Sequence, residues 1–254
     1  MEVSRLKSMK GLQAITMLTA YDFNTAKLLE EIQIDVILVG DSVGNVVYGF
    51  ESTKDVTMEL MIQHTEAVRR GALTSFIVAD MPFGSDEPEA FALENARKLM
   101  GSGADAVKVE GKPEVVKFLV ENKIHVMGHA GLLPQTAEEM KVQGKDAASA
   151  NSILTEAKAL DKAGCFAVVL EMVPAGLADT ITKSLAIPTI GIGAGKFCDG
   201  QVLVINDILG LVEDFHPKFV KRYAELNSEA TKAIKDYVRD VKAGEFPDDE
   251  HSFD

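Results

Sequence analysis

One unit recurs along this chain: a short apolar run that ends in an acid. It appears as DVILVGDS (35–42), SFIVAD (75–80), DAVKVE (105–110) and FAVVLE (166–171). Runs so short and so rich in β-branched residues suit strands buried on both faces of a parallel sheet. A carboxylate is costly to take out of water unless something pairs with it. A run built for burial that delivers an acid at its end therefore needs a reason, and Asp41, Asp80, Glu110 and Glu171 stand at equivalent places in four of them.

Four further runs, AITMLTA (14–20), IHVMG (124–128), IPTIGIG (187–193) and VLVI (202–205), bring the candidate strands to eight. Helical periods lie between them. Met58, Met61, Ile62, Thr65 and Val68 share one face, as do Ala92, Leu93, Ala96, Leu99 and Met100. Thr136 to Glu139 has capping-box spacing, and Pro113 suits a first helical turn. Eight strands alternating with helices in 254 residues predict a (β/α)8 TIM barrel, with a doubly wound open sheet as the rival. No low-complexity linker divides residues 1–254, so one barrel domain is expected. A final helix over about Pro217 to Ala243 and a tail, GEFPDDEHSFD, that wraps the surface or frays are expected to follow it. Barrel chemistry sits at the C-terminal ends of the strands. Closure would gather the four acids around one mouth.

Composition narrows the partners. A net charge of −13 argues against nucleic acid and anionic membrane surfaces. No run approaches the roughly 18 consecutive apolar residues of a membrane span, and the N-terminus lacks the apolar core of a signal peptide. Cys165 and Cys198 have no CxxC spacing, which points to free thiols in a reducing cytoplasm.

Carboxylates that converge on one site repel each other unless they are protonated or bridged by a cation. Oxygen donors without cysteine suit Mg²⁺ better than zinc. The plainer alternative has each acid capping a helix or pairing at the rim. Lys108, two residues before Glu110, would point the same way as that acid. It could hold a substrate carboxylate or form a structural ion pair. Ser42 offers a hydroxyl in the GDS turn, or an ordinary helix cap. His129, in MGHAGLLPQ, is expected to end the fifth strand on the same rim, whereas His64 reads as packing or surface. GIGAG (191–195) fails both phosphate-loop templates, because Lys196 takes the last glycine position of GxGxxG and Phe197 follows GK. Close backbone packing at the barrel mouth explains it better.

MLTAYD (17–22), DVILVGDSVG (35–44), HTEAVRRG (64–71), ADAVKVEG (104–111), MGHAGLLPQ (127–135), IPTIGIGAG (187–195), DGQVLVINDILG (199–210) and PKFVKRYA (217–224) occur in an order that resembles the ketopantoate hydroxymethyltransferases. GEFPDDEHSF resembles that family's C-terminal signature. The resemblance implies a barrel of the phosphoenolpyruvate/pyruvate type, cytoplasmic, assembled as a homodecamer and dependent on Mg²⁺. It implies transfer of a one-carbon unit from 5,10-methylenetetrahydrofolate to 3-methyl-2-oxobutanoate, giving 2-dehydropantoate for pantothenate biosynthesis. By motif position, Asp41, Asp80 and Glu110 correspond to the metal-site acids. Asp41, Ser42, Asp80 and Lys108 correspond to contacts with the oxo acid, and Glu171 to the base that forms an Mg²⁺-stabilised enolate.

Two segments depart from the family pattern. GFESTKDVT (49–57) carries Phe50, Lys54 and Asp55 where a histidine and Leu-Pro are usual, and Leu133 replaces a threonine. These bear on loop motion and folate contacts rather than on the reaction class. A Mg²⁺-dependent C–C lyase of the phosphoenolpyruvate mutase type would share fold and acids, but no lyase-type cysteine segment follows them. A non-catalytic nucleotide-binding protein would rest on GIGAG alone.

Overall fold

The computed structural model describes residues 2–213 and 216–253. Among them eight parallel strands close into a barrel in sequence order: β1 (Ile15–Thr19), β2 (Val36–Val39), β3 (Phe76–Asp80), β4 (Ala106–Glu110), β5 (Val126–Gly131), β6 (Ala167–Glu171), β7 (Thr189–Ile192) and β8 (Gly200–Leu203), with β8 pairing back onto β1. All eight sequence runs become strands, and the open sheet is excluded.

Period-two alternation sorts each strand into an inward and an outward column. Ile15 and Met17, Val36 and Leu38, Phe76 and Val78, Ala106, Met127, Ala167 and Val169, Ile190 and Val202 form one buried cluster inside the barrel. Leu6 and Met9, from α1 (Val3–Ser8) and its C-cap, belong to the same cluster, and the Phe76 and Phe166 rings meet edge to face at 5.8 Å. Two residues further along the same columns come Asp80, Lys108, His129 and Glu171, and two beyond Lys108 comes Glu110. An apolar plug thus fills one end of the barrel interior, and polar side chains continue its columns at the other.

Helices α2 (Phe23–Glu31), α3 (Val43–Val46), α4 (Met58–Gly71), α5 (Glu89–Gly101), α6 (Pro113–Glu121), α7 (Ala147–Ala163) and α8 (Ala175–Ser184) lie between the strands. Their starts follow local chemistry. Asp22 accepts from the Thr25 N–H, Thr57 from Leu60, and Asp146 from Ala148 and Ser149, while Pro113 occupies the first turn of α6. The expected faces hold: Met61, Thr65 and Val68 are buried on α4, and Ala92, Ala96 and Leu99 on α5.

Three local expectations are corrected. Thr136 caps no helix, because 132–146 is an extended loop and α7 starts only at Ala147, capped by Asp146. Between β7 and β8 the chain passes through 193–199 without a helix. Here GIGAG packs closely instead: a Cβ on Gly195 (φ +80°) would stand 2.5 Å from that of Ala175. The last long helix, α10, spans Leu226–Ala243 and leaves Pro217–Glu225 outside it.

By compactness the chain divides into Met1–Val204, which holds the barrel, and Ile205–Asp254. The second unit contains the short α9 (Ile205–Ile208), α10 and the tail. There Phe246 packs against Tyr237 at 5.8 Å and His251 at 5.5 Å, so the tail folds back on α10. Asp254 lies outside the described residues. No helix among those described is long and apolar enough to cross a membrane.

Candidate active site

The acids that end the apolar runs meet a defined set of partners. Asp80, last in β3, is the register partner of Lys108 on β4, and their side chains meet at 2.5 Å. These side chains are only 3% and 6% exposed, so the lysine is a buried counter-charge rather than a surface arm. The other Asp80 oxygen accepts the backbone N–H of Asp41 at 3.0 Å. Asp41 itself follows β2 by two residues, carried inward by the turn that opens α3.

Gln135 joins the next pair of acids. Its side-chain amide donates to Asp41 Oδ2 at 2.8 Å and to the Met81 carbonyl at 3.0 Å, while its backbone N–H donates to Glu110 Oε2 at 3.0 Å. Gln135 lies within MGHAGLLPQ, where no spacing marks it for a role. Tyr21, within MLTAYD, is equally unmarked, yet its hydroxyl lies 2.8 Å from Ser42 Oγ. Ser42 stands at the N-cap of α3 but makes no side-chain cap bond, so its hydroxyl serves Tyr21 instead. For Tyr21 the available signal was a polar side chain two residues past the end of β1.

His129 lies inside β5, which continues to Gly131, rather than at its end. It stands between two acids, with Nδ1 3.5 Å from Glu110 Oε1 and Nε2 3.2 Å from Glu171 Oε2. Neither nitrogen has a hydrogen-bond partner of good geometry. Charge, more than directed bonding, holds the ring. Glu171 is the least buried of these acids, its side chain 19% exposed. Met172 immediately follows with φ +49°, a left-handed turn uncommon outside glycine, and bends the chain sharply away from the strand.

Electrostatics reflect the crowding. Burial, then the neighbouring Asp80, pushes the Asp41 carboxyl up to about 8, against the pull of Lys108. Burial would lower Lys108, but Asp80, Asp41 and Glu110 outweigh it and raise the ammonium above its ordinary value. Burial would raise Glu110, yet His129, Lys108 and the Gln135 N–H hold it down. Burial would also lower His129, and the flanking Glu110 and Glu171 instead lift it to about 9.

Four carboxylates thus face one lysine and one histidine; with the imidazole protonated the excess is two negative charges when all four acids are ionised, and one while Asp41 keeps its proton. Among the described residues no group of three or more His, Cys, Asp or Glu side chains is placed so as to hold a metal ion. Mg²⁺ does not require such a group, since it commonly takes one or two carboxylates and completes its shell with water and substrate. The oxygen donors and the uncompensated charge fit such a cation. Neither cysteine approaches the site: Cys165 Sγ faces Gly128, and Cys198 Sγ faces Gly191.

Elsewhere the loop departures acquire partners. Phe50 stacks on Tyr48 at 5.4 Å and Lys54 lies 5.7 Å from the Phe83 ring centroid. His64, expected to pack or lie on the surface, links Tyr48 Oη (3.0 Å) to the Tyr21 carbonyl (2.6 Å).

Comparison with known proteins agrees with this architecture. The phosphonopyruvate hydrolase solved with oxalate and Mg²⁺ superposes with a TM-score of 0.65 at 12% identity, over 99% of this chain and 93% of its own. A 2,3-dimethylmalate lyase of the PEP mutase/isocitrate lyase superfamily gives 0.63 at 14%, over 98% and 91%. At such identities the likeness is one of fold alone. Sequence relatives are far nearer. The 3-methyl-2-oxobutanoate hydroxymethyltransferase of Thermotoga neapolitana is 52% identical over 100% of this chain and 96% of its own. That of Syntrophus aciditrophicus is 53% identical over 95% and 92%. Residues 1–249 match the family described as ketopantoate hydroxymethyltransferase, and with relatives this similar over its whole length the chain belongs to that family.

Proposed function

We propose that this chain transfers a hydroxymethyl group from 5,10-methylenetetrahydrofolate to 3-methyl-2-oxobutanoate, giving 2-dehydropantoate, the precursor step to pantothenate. Family membership supports the reaction class. One observation carries the division of labour: buried Asp41, Asp80 and Lys108 lie on one side of His129, and the more open Glu171 on the other.

Asp41 and Asp80 would hold the cation, which we take to be Mg²⁺, with Glu110 supporting the same cluster. When bound, it supplies positive charge to the carboxylate and keto oxygens of a 2-oxo acid and so acidifies the adjacent C3–H. Lys108 offsets the substrate's own carboxylate, and the Ser42 hydroxyl, oriented by Tyr21, donates to it. Glu171 accepts the C3 proton, and His129 fixes its carboxylate where that proton departs. A C3–CH₂ bond then forms and both C–N bonds of the folate methylene bridge break. Water supplies the hydroxyl, and the proton from C3 with the second proton of water ends on the two folate nitrogens.

Two wider readings go with this. Free thiols at both cysteines suit a cytoplasmic protein. A homo-oligomer, a homodecamer by family resemblance, would cover part of the apolar surface that Ile234, Tyr237 and Val241 expose on α10. The direct test is product formation from 3-methyl-2-oxobutanoate with methylenetetrahydrofolate and Mg²⁺ each omitted in turn. Either omission should abolish it, and product made without folate would refute the transfer.

A further inference from the structure

The long loop between β5 and α7 lines an open cavity of about 370 Å³, within the range of small-molecule sites. The apolar part of its lining, taken as its floor, is Gly131, Leu132, Leu133 and Ala137, with the polar Thr136 and Gln143 beside them. Its rim is charged and net acidic, with Glu138, Glu139 and Lys141. None of these side chains has a part in the cluster around Asp41 and Asp80.

The cavity wall is bonded to the strand that bears Glu171. The Leu132 N–H donates to the Glu171 carbonyl at 2.9 Å, and the Gln143 N–H to the Met172 carbonyl at 2.8 Å. At Gly131 (φ +101°) the backbones come closer still, since a Cβ there would stand 2.4 Å from the Glu171 carbonyl oxygen. Gly131 is also the register partner of Glu171. The cavity therefore begins beside the residue that takes the C3 proton.

From this we infer that the cavity binds the reduced pterin head of the folate co-substrate, with Glu138 accepting from its amino and ring N–H groups. The inference rests on the transfer reaction proposed above. The carbon to be moved is attached to a pterin nitrogen, so that carbon must come within about 3–3.5 Å of the carbon Glu171 deprotonates and the ring must lie beside it. A flat bicycle can lie against the apolar faces of Leu132 and Leu133. Its 2-amino-4-oxo edge presents adjacent N–H donors that one carboxylate can accept as a pair. Lys141 already engages Glu139 at 2.7 Å, which gives that role to Glu138. An acidic rim also turns away the anionic oxo acid and leaves it to Lys108, so charge sorts the two substrates between neighbouring sites.

The test uses the 254-residue chain, which contains no tryptophan. With Met140, exposed beside the rim, replaced by tryptophan, emission should respond to tetrahydrofolate and not to 3-methyl-2-oxobutanoate. Two further variants separate the half-reactions. Ala137→Phe narrows the floor, and Glu138→Gln, an exposed change that leaves the fold alone, removes the paired acceptor. Each should raise the KM for methylenetetrahydrofolate about tenfold, the scale of a hydrogen bond to a charged group. Exchange of the C3 hydrogen in D₂O, which needs no folate, should keep its wild-type rate in both. Unchanged folate KM in both variants, loss of C3 exchange along with transfer, or a Met140→Trp signal that follows the oxo acid would overturn the assignment. A wild-type chain without transfer activity would overturn the underlying reading and this one with it, and shows itself before any substitution is made.

Discussion

Lys108 and Asp80 are register partners on adjacent strands, and their side chains meet inside the barrel at 2.5 Å. The sheet itself thus builds the pair, and no loop movement is needed to form it. Breaking a buried pair by removing one partner leaves an uncompensated charge, a loss of about 3–5 kcal/mol. Lys108→Met should therefore lower the denaturant midpoint markedly while leaving the far-UV spectrum native. A variant as stable as wild type would mean that Asp80 needs no lysine.

The barrel and its acid-tipped strands were legible in the sequence because burial on both faces and period-two alternation are written into short apolar runs. Asp80, Glu110 and Glu171 could be placed on one rim for that reason alone. Gln135 could not, since a loop residue that returns to bond Asp41 and Glu110 is positioned by tertiary packing, which leaves no periodic trace. The capping-box reading of Thr136 failed for a related reason. Local spacing favours a helix there, but the 132–146 segment is drawn across the end of β6 by the bonds from Leu132 to Glu171 and from Gln143 to Met172. Pro217 looked like the start of α10, yet the helix begins at Leu226.

Removing the charge of Asp80 should weaken the cation site without unfolding the barrel. Asp80→Asn is expected to lose Mg²⁺-dependent activity and to need higher Mg²⁺ for any that remains, as seen in a metal titration with EDTA-treated protein. Activity indifferent to EDTA and unchanged in Asp80→Asn would refute the site.

Asp41 gives the metal-free protein a pH signature. Its folded-state pKa is raised from 3.8 to about 8, so between those values the folded chain holds a proton that the unfolded chain has released. The stability this contributes is complete below about 4 and is lost as pH rises towards 8. Asp41→Asn removes the titration. In EDTA the variant should be the more stable at pH 8, with the gap narrowing towards pH 5, as read from melting curves at several pH values. Parallel curves for the two proteins would contradict the assignment. A bound divalent cation competes with that proton, so Mg²⁺ affinity of the wild type should rise over the same interval.

His129 Nε2 stands 3.2 Å from Glu171 Oε2, and in the proposed mechanism it orients that carboxylate without holding the cation. Supporting residues of this kind typically matter by 10–100-fold. His129→Asn should lower kcat within about that range, with a much smaller change in the KM for the oxo acid. A rise in that KM at unchanged kcat would assign His129 to substrate binding instead.

Assembly is checked by mass. Light scattering should report several times the 27.4 kDa of one chain, and a monomer at micromolar concentration would contradict the oligomer.

The central claim is that Glu171 removes the C3 proton, and the exchange reaction tests it without folate chemistry. In D₂O with 3-methyl-2-oxobutanoate and Mg²⁺ alone, the wild type should replace the C3 hydrogen by deuterium, followed by NMR. Glu171→Gln keeps the size of the side chain and removes its basicity, and should slow the exchange by about 10²–10⁴-fold, the contribution of a positioned general base. Exchange at the wild-type rate in a Glu171→Gln variant that still binds metal and oxo acid would show that another residue is the base.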